Sequence, residues 1–294
     1  MLPAMAKQLR VGIVGPGRLG RALAIGLKQA GYRVEEIVSR TEAASRRRAR
    51  ALAREVGARA VTAKTARLDA GLIWFCVPDR EIAKVASQLA LTGSWKGKVV
   101  FHPSGALCSD ELEALRLQGA SVAAVHPFMT FVRGSAPGLV GVPFGLEGDG
   151  LALRLARRVI RDVGGRSISV SKRAKAAYHA WGGFLSPLLL SLLVTAERVA
   201  AAAGFSAAQA RRWAIPIVQQ TLANYARLGP AGAFSGPLVR GDVAVVKKHL
   251  QALKKISSAH EVYVALGNSA LENLPTKNRA QLREILRRGS RVNA

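Results

Sequence analysis

The chain has 294 residues, 49% of them hydrophobic, enough for one large or two ordinary domains with substantial cores. Lysine and arginine number 44 against 18 acidic residues, a net charge of +26 spread along the whole length, which excludes a basic tail or a single nucleic-acid stripe. Two cysteines, Cys76 and Cys108, exclude a disulfide framework and a cysteine-based zinc site, and no metal is expected.

In chain order, Met1–Met5 is expected to be disordered, and with no charged-then-apolar leader a cytoplasmic location is expected. Strands are predicted at Leu9–Val14, Arg33–Val38, Arg59–Val61, Leu72–Val77, Lys98–Phe101, Ser121–Val125, Pro143–Glu147 and Ser167–Val170, alternating at first with helical stretches. Cys76 reads as a buried small hydrophobe, and the run Arg46–Arg50 as a solvated helix face. Beyond Ser171 the pattern turns helical: Lys172–Ala203, Ala207–Arg227, Asp242–Ile256, Ser258–Glu272 and a short basic helix after Pro275. The apolar stretch Gly182–Ala196 is too short to span a bilayer and reads as a buried or subunit-interface helix. The expected architecture is α/β: a Rossmann-type parallel-sheet domain over 1–170, then an all-α domain over 171–294.

Between the first strand and its helix stands Gly15-Pro16-Gly17-Arg18-Leu19-Gly20. Gly15 permits the tight turn, Gly17 close approach of a pyrophosphate, and Gly20 packing of helix on sheet. The free N–H groups of Arg18 and Leu19 and the helix dipole favour that anion. The second strand ends in Ser39-Arg40-Thr41, where an NAD-selective site would offer a carboxylate. A guanidinium and two hydroxyls suit a 2′-phosphate instead, so NADP(H) is the expected cofactor.

Further candidates gather where ligands bind in open α/β sheets, at the carboxyl ends of the strands. They are Val77-Pro78-Asp79, the turn His102-Pro103-Ser104-Gly105, and His126-Pro127-Phe128. Ser104 and Gly105 are expected to offer a hydroxyl and an N–H to cofactor or substrate, and His126 to touch substrate. On the first long helix, Lys175, Tyr178, His179, Gly182 and Ser186 share one face. Lys175 or His179 is the expected proton donor to an atom that becomes basic as hydride arrives, and Ser186 lies within reach of substrate. Asp242 reads as an N-cap, and Arg240 before it as a bidentate clamp for a substrate carboxylate.

GIVGPGRLG, VPD, HPSGAL, HPFMTF, KAAYHA and SGPLVRGD, in that order, resemble a bacterial family that joins a Rossmann-like domain to a C-terminal domain of unknown function. The chain is similar, more distantly, to ketopantoate reductases and pyrroline-5-carboxylate reductases. The resemblance implies NADPH-dependent reduction of a small anionic 2-oxo acid, ketopantoate above all, by a homodimer joined through its helical domains. It also implies that Lys175 acts near the carbonyl. Where the family helix often reads Ala-Ser-Asn, this chain has Leu185-Ser186-Pro187, and the proline is expected to kink the helix. Imine reduction and a non-catalytic NADP-binding sensor are the alternatives. No specific nucleic acid and no membrane are expected as partners.

Overall fold

A computed structural model describes residues 9–133 and 137–290, so the expectation for Met1–Met5 lies outside the described residues. The chain falls into compact units, 1–184 and 185–294. The N-terminal unit is built on an eight-stranded sheet of order β3-β2-β1-β4-β5-β6-β7-β8. Its strands are β1 Arg10–Val14, β2 Arg33–Ser39, β3 Arg59–Thr62, β4 Leu72–Phe75, β5 Val99–His102, β6 Ser121–Pro127, β7 Pro143–Gly148 and β8 Arg166–Ser169. Its helices are α1 Arg18–Gln29, α2 Ala43–Val56, α3 Ile82–Ala90, the short α4 Glu113–Arg116, α5 Gly150–Asp162 and α6 Lys175–Gly183. The C-terminal unit holds α7 Leu189–Ala202, α8 Ala207–Ala233, α9 Pro237–Arg240, α10 Val243–Leu253, α11 Ala259–Asn273 and α12 Arg279–Ser290.

Alternation along the central strands sends apolar side chains to both faces of the sheet. Val11, Ile13, Leu72 and Trp74 pack with residues of α1, α2 and α5, while Val14, Ile73 and Phe75 pack with residues of α3 and α4. Such two-sided burial is what parallel strands covered by crossover helices require. The sheet is not wholly parallel: β7 pairs antiparallel with β6, and β8 returns parallel to β7 after α5. Because the order passes from β2 through β1 to β4, the sheet changes winding direction at β1, which opens a crevice at its carboxyl edge.

The last strand ends at Ser169, close to the expected domain boundary, yet α6 belongs with the sheet. Lys175 and Tyr178 are buried there, tying the helix to the turn after β5 and to His126 in β6. The predicted single helix Lys172–Ala203 is interrupted by a π-helical turn, Phe184–Leu188, containing Pro187. Proline has no N–H for the helical ladder, and the widened turn accommodates its ring. In the C-terminal unit, Val246, Leu250, Val264, Leu271, Leu282 and Leu286 join α10, α11 and α12 into a small core. The helix predicted over Ala207–Arg227 ends as expected near Gly229, whose non-helical backbone (φ 70°, ψ 176°) breaks α8 into two helical pieces.

Candidate active site

The Gly15 turn is locked by its neighbours on both sides. Gly15 N donates to Val38 O at 2.8 Å, and Cys76 N to Val14 O at 2.7 Å. Gly15 has φ 109°, and a Cβ there would lie 2.3 Å from Cys76 O, so only glycine fits. At Gly20 a Cβ would lie 2.1 Å from Gly15 O, which is the close helix–turn packing the motif predicts. Gly17 differs from both: its backbone is ordinary (φ −76°, ψ −175°). The nearest atom to a Cβ there is Cys76 O at 3.9 Å. Nothing in the protein demands glycine at this position, and the face it leaves open is free for a ligand. α1 begins beside it with no side-chain cap and no acidic residue in its first turn. The first-turn N–H groups, Arg18 and Leu19 among them, have no helical acceptor. These features fit the pyrophosphate of a dinucleotide.

A cleft of about 720 Å³ adjoins this turn, lined by Gly17, Arg18, Arg21, Arg48, Glu55 and Arg133 among others. Arg48 of the arginine run therefore faces a basic cleft as well as solvent. Arg18 contributes structure too, since its Nη1 donates to Phe131 O at 3.3 Å and anchors the segment after β6. At the end of β2, Thr41 is exposed, but Ser39 is buried and its Oγ donates to Val61 O at 3.4 Å. The hydroxyl expected to meet a phosphate is thus already committed to β3. The Arg40 side chain is 76% exposed and sits 3.6 Å from Glu42 Oε1, so a carboxylate does stand close by. Glu36 has a role the sequence does not announce. It is buried in β2 and accepts from Arg67 N, Leu68 N and Arg59 Nη2, which fixes the connection from β3 to β4.

The second sector lies on the same carboxyl edge, across β4, β5 and β6. His102 is fully buried; its Nδ1 accepts from Ser104 N at 3.2 Å and its Nε2 faces Cys108 O at 2.9 Å. Burial holds its pKa down at about 4, so it is a neutral, structural histidine. Ser104 is also spoken for: its Oγ donates to Asp79 Oδ2 at 2.7 Å and accepts from Leu107 N at 3.0 Å. The expected ligand contact of the Ser104 hydroxyl gives way to a turn-fixing one, and Asp79 after Val77-Pro78 is its partner. Lys175 is 2% exposed, and its Nζ donates to Ser104 O at 2.8 Å. Burial lowers its pKa, against the opposing pull of the Glu147, Cys108 and Asp79 charges. Glu147 is itself buried and accepts from Ser109 N and Ser109 Oγ, each at 2.7 Å.

Over this base stands an aromatic group that sequence spacing does not predict, because β6, the segment after it and α6 each contribute to it. His126 and His179 meet edge to face at 5.9 Å between ring centres, and His126 Nδ1 lies 3.0 Å from Tyr178 Oη. Phe128 packs between Tyr178 (5.4 Å) and the half-exposed Trp181 (4.4 Å). Gly182 leaves room for Phe128, whose Cε2 would lie 3.1 Å from a Cβ there. A Cβ at Gly105 would fall 2.5 Å from His179 Cδ2, so glycine is needed beneath the histidine pair. Lys175, Tyr178, His179 and Gly182 thus share the face of α6 that meets these elements. Ser186 lies in the π-helical turn, within the C-terminal unit. Arg240, also in that unit, pairs with Asp242 Oδ2 at 2.9 Å. Asp242 occupies the N-cap position of α10 but makes no capping bond, so the cap role gives way to the arginine.

Residues 4–127 match the model of the Rossmann-like domain, and residues 142–270 that of a domain of unknown function (DUF2520). No curated protein matches the sequence. Among solved structures, protein TM1727 from Thermotoga maritima is similar over 96% of this chain and 100% of its own, with 24% identity and a TM-score of 0.70. A reductive aminase from Aspergillus terreus, in complex with NADPH and ethyl-5-oxohexanoate, aligns over 94% of this chain and 99% of its own (18% identity, TM-score 0.65). A pyrroline-5-carboxylate reductase from Coxiella burnetii aligns over 96% and 97% (14% identity, TM-score 0.58). The glycine turn and the winding reversal at β1 are those of a Rossmann-like domain, and the DUF2520 match runs from the start of β7 into the helical C-terminal unit.

Proposed function

We propose that the protein is an NADPH-dependent oxidoreductase that reduces a small anionic 2-oxo acid, with ketopantoate the first substrate to test. The observation that carries this reading is the open face at Gly17, on the same sheet edge as the Lys175–His126–His179 group. The N–H groups of Arg18 and Leu19 hold the pyrophosphate, and Arg40 with Thr41 the 2′-phosphate, Arg40 turning from Glu42 to do so. When bound, the cofactor supplies hydride to the substrate carbon. His179, exposed beside Gly105, gives the proton that converts the oxygen to a hydroxyl. Lys175 holds the Ser104–Gly105 turn in place and adds positive potential where the oxygen gains negative charge. The charge of +26 draws in both anionic reactants.

Imine reduction is the second reading, favoured by the similarity to a reductive aminase and a pyrroline-5-carboxylate reductase. Against it, the site offers an iminium cation a buried ammonium, while its nearby carboxylates Asp79 and Glu147 are bonded to Ser104 and Ser109. We assign the apolar exposed faces of α7 and α8 to a second copy of the chain. By length and composition the helical run Lys172–Ala202 would also pass for a membrane span. Self-association is the reading carried forward, resting on the exposed apolar residues Leu190, Ile217 and Leu222. This reading calls for a compartment supplied with NADPH, as the cytoplasm is. Following NADPH absorbance with ketopantoate and with pyrroline-5-carboxylate tests it. Turnover of the oxo acid supports the carbonyl reading, turnover of the imine alone replaces it, and NADPH binding without either leaves the sensor.

A further inference from the structure

We propose that Tyr178 holds His126 in its Nε2–H tautomer, and that this N–H donates a hydrogen bond to the substrate's carbonyl oxygen; the second step rests on the reductase reading above. Tyr178 is 9% exposed, and its oxygen lies over Gly145 on β7. A Cβ at residue 145 would lie 2.6 Å from that oxygen, so glycine lets the strand come this close. The phenol has a single proton to give, and His126 Nδ1 stands 3.0 Å away to accept it, which spares that buried O–H from going unpaired. Burial pushes the Tyr178 phenol up to about 12, which keeps that proton on the oxygen. Burial, with the charge of Lys175 and His179, holds His126 down at about 4, so its ring is neutral and carries one proton.

An imidazole that accepts at Nδ1 carries its proton at Nε2. That nitrogen is directed at Gly105: a Cβ there would fall 2.9 Å from Nε2 and 2.5 Å from His179 Cδ2. Any side chain at 105 would cover the N–H, whereas glycine leaves it open next to the proposed proton source. A neutral donor beside a proton donor is the pairing that an oxygen gaining negative charge requires. Tyr178 acts through His126 and is therefore a positioning residue. The sequence carries the signal only as the i, i+3 pair Lys175 and Tyr178 on one helix face.

Long-range ¹H–¹⁵N NMR on the histidine-labelled full chain at pH 7.5 reads the tautomer directly, with His126 assigned by its loss in His126→Asn. The expected spectrum is Nε2–H for His126 in the native chain and a shift toward Nδ1–H in Tyr178→Phe. That variant retains the ring packing on Phe128 at 5.4 Å, and a thermal melt checks that it folds. It should also lower kcat on the oxo acid roughly tenfold, with the Kd for NADPH unchanged. An Nδ1–H signal in the native chain, or a Tyr178→Phe chain with unaltered tautomer or kcat, overturns the proposal. A protein with the expected tautomer that reduces no carbonyl contradicts the reductase reading and leaves the tautomer assignment standing.

Discussion

The two units bury their apolar residues in opposite ways. In the N-terminal unit, β4 and β5 are buried at every position, and helices cover both sheet faces. In the C-terminal unit, α7 and α8 contain no buried residue, and Leu190, Ile217, Leu222 and Tyr225 are each more than half exposed. Exposed apolar surface on this scale marks an interaction face. The sheet unit thus buries its own apolar surface, while the long helices α7 and α8 leave theirs exposed.

The sharpest way to break this comparison is at the glycine turn. Gly15→Ala places a Cβ 2.3 Å from Cys76 O at φ 109°, and it should cost at least about 3 kcal/mol. Gly17→Ala meets nothing nearer than 3.9 Å, so its thermal melt should be native while NADPH affinity falls tenfold or more. Equal melting losses for both would mean that Gly17 is structural. Next in size, Lys175→Met should lower turnover on the order of a hundredfold, with NADPH binding intact in a fluorescence titration. A native rate would remove Lys175 from the mechanism.

These two sites differ in how far the sequence reveals them. The Gly15–Gly20 turn, the strands and the carboxyl-edge turns are legible because their signals are local: glycine spacing, apolar runs and His-Pro breaks. The roles of Ser39, Ser104 and Asp79 are not, since each hydroxyl is claimed by a strand or turn distant in sequence. The cap expected of Asp242 fails for a local reason, Arg240 two residues before it being the competing partner. The antiparallel β7 is hidden because a strand's apolar pattern does not carry its direction. Pro187, by contrast, announces its helix defect outright.

Acid should separate the units through the histidines of the first. His102 and His126 are held at about 4, below the ordinary value of about 6.5, so the unfolded chain binds more protons between these limits. Stability is therefore full above pH 6.5 and declines as pH falls toward 4, the buried His102 alone contributing on the order of 3 kcal/mol. Thermal melts across that range check it; a flat profile would mean that both rings are free to protonate in the fold. The C-terminal unit is tested by Leu190→Glu with Ile217→Glu, whose side chains are 62% and 67% exposed. Light scattering should show a dimer become a monomer, with NADPH affinity held within a few-fold, and a native chain already monomeric would contradict the pairing of these faces.

The central claim is that the open face at Gly17 and the guanidinium of Arg40 hold NADPH. Calorimetric titration of the native chain with NADPH and NADH tests it most directly. Saturable binding is expected, with NADPH at least about tenfold tighter, and an Arg40→Ala chain should lose that preference. Failure to bind either nucleotide would contradict it at the glycine turn.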